Sequence, residues 1–370
     1  MNPTRILSIC ALVLAACGGP APRNDDGALA TDTQGLHELT SPAKLALNKK
    51  LGLHRPVRPQ YCFHQIEHAS KSFPAAGATI AFDASHRTVR AYAYDPAAMT
   101  QGGAHASPVT VSEWDGETWQ PLAAMEGVEA NGKVSMVTDE RTGSQWLFNW
   151  SPTDGVVPYR LADTGATSRQ GGATPAGRVE FAAYDDTRGR VLVATASDSV
   201  RTPPFWFFEG GNFVVGPQGP SPRAQSAYAF DRARGEMVQF GGFAEGAFSP
   251  NQETWVLTPA GFVQRHPAQS PPARSGAAMA FDPRIGMVVM FGGFTQSHAR
   301  NGSVTRIEMN DVWLWNGAEW FNAECTDPQG RPSARVGSGI AFDDQLQQMV
   351  LFGGASSSNP QGAYSDTWVH

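Results

Sequence analysis

The sequence has few charged residues and no long hydrophobic run. Asp, Glu, Lys and Arg make up 17% of the 370 residues, compared with about a quarter in an average globular protein. The formal net charge is −6, so the sequence does not indicate the basic face of a nucleic-acid-binding protein. No apolar stretch reaches the roughly 20 residues that a transmembrane helix needs. We therefore expect neither a nucleic-acid partner nor a membrane-spanning helix.

Glycine, proline and aromatic residues are abundant instead. The chain contains 39 Gly and 27 Pro, and Phe, Trp and Tyr make up 10% of it. This composition favours many short strands joined by tight turns over long helices. The length suits either one large β domain or two average domains.

The N-terminal segment 1–16 has the pattern of an export signal. Arg5 precedes an apolar run from Ile6 to Ala16, which fits the hydrophobic region of a signal peptide. The run ends in Leu-Ala-Ala-Cys, which resembles the lipobox of bacterial lipoproteins. The resemblance implies cleavage before Cys17, lipidation of its thiol by groups such as palmitate, and attachment to a membrane surface. The alternative is an ordinary cleavage site followed by a chance cysteine.

The residues after Cys17 extend this interpretation. Gly18 stands where an inner-membrane lipoprotein would carry Asp, so we predict, by analogy, an exported protein lipid-anchored in the bacterial cell envelope at the outer membrane. Residues 17–57 are predicted to form a flexible tether because they begin with small, polar residues. A short helix is expected within the tether, since Ser41 and Pro42 suit a helix start and Gly52 a helix end.

Three segments in the C-terminal half repeat one pattern. Each has an Arg, small and apolar residues ending in Phe-Asp, a turn, a second apolar strand, a glycine pair, a variable loop and a Trp. The glycine pairs and tryptophans are Gly241 with Gly242, Gly292 with Gly293, Gly353 with Gly354, and Trp255, Trp313 and Trp368. The pattern resembles the kelch repeat, which implies a β-propeller with blades of four antiparallel strands.

The aspartate after the first strand of each unit extends the repeat towards the N-terminus. The aligned residues are Asp83, Asp139, Asp185, Asp231, Asp282 and Asp343. Their spacing brackets the kelch period of about 50 residues, although the first three units lack the glycine pair. We therefore predict an all-β fold, a six-bladed kelch-like β-propeller over residues 58–370. A different division of the units would give five or seven blades.

The last unit supplies only three strands, so its fourth strand must come from elsewhere. The unassigned apolar stretch from Tyr61 to Ile66 directly precedes blade one. We predict that it pairs with residues 366–370, because one sheet built from both parts of the chain closes the propeller and protects open strand edges.

The cysteines agree with this closure. Cys10 would leave with the signal peptide and Cys17 would be lipidated, which leaves Cys62 and Cys325 in an oxidising compartment. Both lie on predicted outer strands of adjacent blades. We predict a disulfide between them, and two separate buried thiols are the alternative.

Four arginines are the candidate ligand-binding residues. Arg223, Arg274 and Arg335 each lie eight residues before the aligned aspartate, and Arg178 lies seven before it. In kelch proteins that bind acidic peptides, arginines at this blade position surround the channel mouth. The resemblance therefore implies a site for carboxylate-bearing ligands, which guanidinium groups bind well. The alternative is structural, with each arginine bonding carbonyls as part of the repeat.

Other motifs do not indicate chemistry. His64, Glu67 and His68 match an inverted zincin motif, but residues i and i+4 of a strand lie about 13 Å apart and cannot share one ion. The segment 112–119 resembles the Asp-box of sialidases out of register, and such boxes are structural turns. Galactose oxidase shares the kelch propeller, yet no copper-ligand set transfers to this sequence. We predict no metal, no cofactor and no catalytic residue.

The long polar loops after the second strands favour recognition. The longest, 295–310, carries His298, Arg300, Arg306 and Glu308. We predict a cell-envelope lipoprotein whose propeller is a binding or scaffolding module for protein or acidic ligands on the loop face. The alternative is an envelope carbohydrate-active enzyme of the kelch mutarotase or epimerase type, which requires a Glu or His together with an Arg in the channel.

Overall fold

The computed structural model describes residues 59–67, 78–93, 107–122, 124–130, 134–139, 141–151, 153–161, 167–169, 174–185, 187–196, 205–221, 223–244, 246–359 and 363–370. These residues form strands and turns, and none of them belongs to a helix. Accordingly, the described residues include no helix with the length and apolar character needed to cross a membrane. The predicted signal peptide, the predicted lipidation site Cys17 and the predicted tether lie outside the described residues.

Six antiparallel sheets repeat along the chain, and each is one blade of a β-propeller. The first part of the chain contains β1 (His64–Ile66), β2 (Thr79–Asp83), β3 (Thr88–Ala93), β4 (Ser107–Trp114), β5 (Trp119–Pro121), β6 (Met125–Ala130), β7 (Ser135–Asp139), β8 (Ser144–Ser151), β9 (Gly155–Leu161), β10 (Thr167–Arg169), β11 (Arg178–Asp185), β12 (Arg190–Ala196), β13 (Phe205–Glu209) and β14 (Asn212–Val215). The second part contains β15 (Arg223–Ala224), β16 (Ala227–Asp231), β17 (Glu236–Phe240), β18 (Phe243–Ala244), β19 (Thr254–Thr258), β20 (Gly261–Arg265), β21 (Ala278–Asp282), β22 (Met287–Phe291), β23 (Phe294–His298), β24 (Val304–Glu308), β25 (Val312–Trp315), β26 (Trp320–Ala323), β27 (Gly339–Asp343), β28 (Gln348–Phe352) and β29 (Thr367–Val369).

The blades follow the predicted order. From the innermost strand outward they are β2-β3-β4-β5, β7-β8-β9-β10, β11-β12-β13-β14, β16-β17-β19-β20, β21-β22-β25-β26 and β27-β28-β29-β1. In addition, β6 pairs with β4, while β15 with β18 and β23 with β24 form small two-stranded sheets. The predicted six-bladed, all-β propeller is confirmed. The segment 295–310, expected to be a loop, is mostly the hairpin of β23 and β24, because its residues pair in register from Phe294 with Glu308 to His298 with Val304.

The six aligned aspartates end the six innermost strands. All of them are buried, with at most 8% of each residue exposed. The carboxylate of Asp83 accepts the backbone N–H groups of Ser85 at 3.0 Å and His86 at 3.2 Å, and Asp343 accepts those of Gln345 and Leu346 at 2.9 Å. This side-chain-to-backbone turn is local, so the aspartate identifies the end of each strand from the sequence.

Adjacent blades pack through apolar faces. The second strands are largely buried, and every residue of β22 is buried. A recurring tryptophan joins the outer part of one blade to its neighbour: Trp320 Nε1 donates to Thr254 Oγ1 at 2.9 Å. The equivalent bond from Trp119 Nε1 to Thr367 Oγ1 is 2.8 Å long and joins blade one to blade six. Burial of a large ring with its N–H satisfied holds the blades in register.

The glycine pairs occupy positions that a side chain would obstruct. Gly241 has φ +67°, and a Cβ atom there would lie 2.3 Å from the carbonyl oxygen of Arg274 in the next blade. Gly292 repeats this, with φ +68° and a Cβ position 2.7 Å from the Arg335 carbonyl oxygen. The pairs therefore allow close approach of neighbouring blades as well as the left-handed backbone conformation.

We expect Gly241→Ala to lower the free energy of unfolding far more than Gly302→Ala. Gly302 has φ +82° but no atom within 4 Å of an added Cβ, so only the left-handed conformation is penalised there, by about 1–2 kcal/mol. The clash at Gly241 adds a backbone shift that costs about 1–3 kcal/mol more. Urea denaturation of both variants measures the difference. Equal losses would show that the blades tolerate the extra methyl group.

The strand from the N-terminal side closes the last blade. β1 pairs antiparallel with β29, and His64, Gln65 and Ile66 lie opposite Val369, Trp368 and Thr367. The predicted pairing is confirmed. The residues before β1 enter the space between blades five and six, where the amide of Tyr61 donates to the carbonyl of Glu324 at 2.9 Å.

The predicted disulfide is also confirmed. Cys62 and Cys325 are bonded, with their Cα atoms 5.0 Å apart. Beside the bond, Tyr61 and Phe63 are 2% and 0% exposed. The Tyr61 hydroxyl donates to Asp282 Oδ2 at 2.9 Å, and the Tyr61 ring stacks on the His370 ring at 3.6 Å. Burial raises the pKa of Tyr61 well above its usual value and lowers the pKa of His370, so both side chains are held neutral near pH 7.

Candidate functional site

The innermost strands enclose a central channel. Residues of β2, β7, β11, β16, β21 and β27 line a cavity of about 930 Å³, which is within the range of small-molecule binding sites. All six strands run in one direction, from the channel end that we call the mouth to the buried aspartates at the other end. The mouth is where the charged side chains of interest lie.

Arg178 is the first residue of β11 and is exposed at the mouth. Its guanidinium lies over the ring of Trp150, at 5.6 Å from the ring centroid. Such a cation–π contact fixes the side chain without using its N–H donors. Within the described part of the chain, no carboxylate forms an ion pair with Arg178, so its donors face the cavity and solvent.

Glu180 lies at the same mouth because the strand is irregular there. The pairing of β11 with β12 shifts register between Val179 and Phe181, which leaves Glu180 as the bulged residue. Bulges of this kind redirect a side chain. Glu180 lines the cavity, is half-buried, and its Oε2 accepts the backbone N–H of Gln225 at 3.1 Å.

Arg306 contributes a second guanidinium from the hairpin. Its guanidinium lies 3.8 Å from the centroid of the Phe294 ring, and its Nε is 3.6 Å from Glu308 Oε1. Burial alone raises the pKa of Glu308, but hydrogen bonds from Ser356 and Ser357 lower it overall. Glu308 is therefore ionised and already accepts hydrogen bonds from serines. Its contact with Arg306, at 3.6 Å, neutralises the charge of that guanidinium only in part.

Arg274 and Arg335 are placed differently. Each is 1% exposed, and neither lines the cavity. Arg274 donates to both carboxylate oxygens of Asp311, at 2.6 and 2.8 Å, and to the carbonyl of Gly292 at 3.0 Å. Arg335 likewise donates to Asp366 at 2.9 Å and to the Gly353 carbonyl at 3.1 Å. Burial raises the pKa of Asp311, but the bonds from Arg274 lower it overall.

Arg223 is the third arginine of this kind. It is 6% exposed, and its Nη2 donates to Glu253 Oε2 at 2.6 Å. Of the four candidate arginines, only Arg178 lines the cavity. The geometry of the other three fits the structural alternative, because each binds an acidic residue of its own blade and two of them bind a glycine-pair carbonyl.

Two residues of the mouth were not predicted from the sequence. Glu180 lies five residues before its aspartate, where the other units carry Ala78, Val134, Ser226, Ala277 and Ser338. Trp150 occupies the place of the second glycine of the pair, eleven residues after Asp139. Glu180 is the one charged residue at its position among the six units, and Trp150 is a large residue at a position where four units carry Gly or Ala and the first carries Tyr94. Comparing the units position by position could have found them.

The zincin-like and Asp-box-like motifs have structural roles in the part of the chain that the structure describes. His64–Ile66 is a strand, as expected, and His68 lies outside the described residues. No group of three His, Cys, Asp or Glu side chains suited to a metal ion occurs among the residues that the structure describes. Asp115 accepts the backbone N–H groups of Glu117 and Thr118 at 2.9 and 2.7 Å. Slight burial raises the pKa of Asp115, but these bonds and one from Gln120 lower it to about 2.

Comparison with known proteins supports the fold. The solved structure described as "Structure of YjhT" is similar, with a TM-score of 0.58 and 12% sequence identity over 84% of this chain and 95% of that chain. The chain is a β-propeller. No protein-family model matches the sequence, and no curated protein matches it. At this identity the likeness extends to the fold alone, which in general supports a binding or scaffolding module.

Proposed function

We propose that the protein is a binding module of the bacterial cell envelope whose channel mouth binds ligands that carry a carboxylate. The observation that carries the proposal is Arg178, an exposed guanidinium over Trp150 at the edge of a cavity of about 930 Å³. A guanidinium binds a carboxylate through two parallel hydrogen bonds. Trp150 holds the guanidinium in place before the ligand arrives, which reduces the entropy lost on binding.

The other charges of the mouth favour a single carboxylate. Arg306 lies on the same cavity and adds positive potential there, which attracts an anionic ligand. Glu180 carries the opposite charge and would repel a second carboxylate that approached it. The expected ligand therefore has one acidic end, directed towards Arg178 and Arg306 and away from Glu180.

The envelope location rests on the sequence. The Leu-Ala-Ala-Cys pattern supports a lipid anchor at Cys17, and the Phe-Asp, Gly-Gly and Trp pattern supports a propeller of the kelch type. A lipid anchor places a binding module at the membrane surface without a membrane span.

We expect Arg178→Gln to weaken the binding of small carboxylates about 10- to 100-fold, since hydrogen bonds to charged groups contribute about 1.5–3 kcal/mol. Isothermal titration calorimetry with benzoate and glucuronate measures this. Arg300→Gln is the control, because Arg300 is exposed on the hairpin tip and does not line the cavity. Equal affinity of wild type and Arg178→Gln would overturn the proposal, as would benzamide binding as tightly as benzoate.

Glu180 favours one second candidate function. A carboxylate can accept a proton from a sugar hydroxyl and return it, while a guanidinium on the same cavity can bind the carboxylate of an acidic sugar. The second candidate is therefore a mutarotase or epimerase acting on acidic sugars. Exchange between the anomers of glucuronate, followed by NMR, would be accelerated by the wild type and not by Glu180→Gln.

A further inference from the structure

Gln225 has a backbone conformation that is unusual for a glutamine. Its φ is +56°, in the left-handed region that residues other than glycine seldom adopt. The corresponding residues of blades five and six, also six places before the aspartate, are Gly276 and Gly337, each with φ +66°. A residue that is held in a strained conformation, where neighbouring units carry glycine, is a candidate for a functional role.

The backbone of Gln225 is held from both sides. Its N–H donates to Glu180 Oε2 at 3.1 Å, and its carbonyl accepts the N–H of Gly276 at 2.9 Å. The Gly276 carbonyl in turn accepts the N–H of Gly337 at 2.9 Å, so these bonds join blades three to six around the mouth. A glycine at position 225 would form the same backbone bonds, so they do not account for the glutamine side chain.

The side chain of Gln225 directs an amide donor group to the cavity. Gln225 is exposed and lines the cavity. Its Oε1 accepts a hydrogen bond from the Ser275 hydroxyl at 3.1 Å, which fixes the orientation of the amide. Among the residues that the structure describes, none accepts a hydrogen bond from Nε2. Both N–H groups of this nitrogen are therefore available to a ligand.

We propose that Gln225 determines specificity at the mouth by donating from Nε2 to an uncharged oxygen of the ligand. The expected ligand is then a carboxylate that also carries an ether, hydroxyl or carbonyl oxygen. The carboxylate end rests on the function proposed above, while the second contact is a separate inference from Gln225. A donor that loses its water on binding favours a ligand that supplies an acceptor and disfavours a purely hydrocarbon one.

The experiment compares cyclohexanecarboxylate with tetrahydropyran-2-, -3- and -4-carboxylate by isothermal titration calorimetry. Each tetrahydropyran acid keeps the ring shape and replaces one methylene by an oxygen that accepts but does not donate. We expect one isomer to bind about 2- to 10-fold more tightly than cyclohexanecarboxylate, the gain from one neutral hydrogen bond. Arg178→Gln should weaken all four acids by the same factor, because it removes only the contact to the carboxylate.

Two glycine variants assign the preference to Gln225. Gln225→Gly relieves the left-handed strain, so its melting temperature should be no lower than that of the wild type, while the advantage of the preferred isomer should disappear. Gln347→Gly is the matched control, because Gln347 has φ +53°, is exposed on a turn of blade six and does not line the cavity. It should keep the wild-type preference. Circular dichroism melting curves of both variants verify the fold.

The outcomes separate the two proposals. If all four acids bind through Arg178 but no isomer binds more tightly than cyclohexanecarboxylate, the role of Gln225 is overturned and the carboxylate site stands. A preferred isomer that keeps its advantage in Gln225→Gly also overturns that role, because another donor then makes the contact. Absence of binding by all four acids, or affinities that Arg178→Gln does not change, overturns the carboxylate site instead.

Discussion

Arg274→Met is expected to lower the free energy of unfolding by about 3–5 kcal/mol, the cost of removing one partner of a buried ion pair. The Arg274 side chain is fully buried, and its guanidinium satisfies both oxygens of Asp311 and the Gly292 carbonyl. Met has a similar volume, so packing is largely kept. The loss arises because Asp311 loses both bonds from the guanidinium, while the bond from Trp313 Nε1, at 2.7 Å, remains.

Chemical denaturation of matched variants measures this loss. The control is Arg265→Met, since Arg265 is 35% exposed and lies 3.4 Å from Glu236; exposed pairs contribute at most about 1 kcal/mol. The double variant Arg274→Met/Asp311→Leu should recover much of the stability, because no uncompensated charge is left. If Arg274→Met lowers the free energy of unfolding no more than Arg265→Met does, the buried Arg274–Asp311 pair does not contribute the expected stability.

The Arg274–Asp311 ion pair shows why the sequence alone could not decide between a ligand-binding and a structural role for the arginines. Asp311 lies 37 residues after Arg274, at the end of a loop whose length differs between units. A repeated arginine indicates a repeated contact, but it does not identify the partner. Only the fold places Asp311 and Asp366 against their arginines and leaves Arg178 facing the cavity.

Other features were predictable because their causes are local. An aspartate ends each innermost strand, and in five of the six blades its carboxylate accepts the N–H group two residues later, so the six aspartates reveal the blades even where the glycine pair is missing. The closing strand was also predictable, because the last unit supplies only three strands, and the two remaining cysteines agreed with the closure. The bulge at Glu180 could not be predicted, because a one-residue register shift within a strand leaves no local pattern of turn residues.

Removal of the disulfide by Cys62→Ser/Cys325→Ser is expected to lower the free energy of unfolding by about 2–5 kcal/mol. The two cysteines are 263 residues apart, so the bond restricts a very long loop in the unfolded chain. The bond also acts where the fold depends on few contacts: β1 has only three paired residues with β29. Without it, the segment that carries Tyr61 and Phe63 is retained by packing and a few hydrogen bonds.

Denaturation with and without dithiothreitol tests this prediction. Reduced wild type should match the double serine variant, and the variant should not respond to the reductant. Two more free thiols in denatured, unreduced wild type than in the double serine variant would contradict the disulfide itself. Phe63→Ala, in which a fully buried ring is lost, should cost about 3–5 kcal/mol with the disulfide present. A larger loss in the serine background would show that the bond and the packed ring hold the closing strand jointly, since independent contributions add.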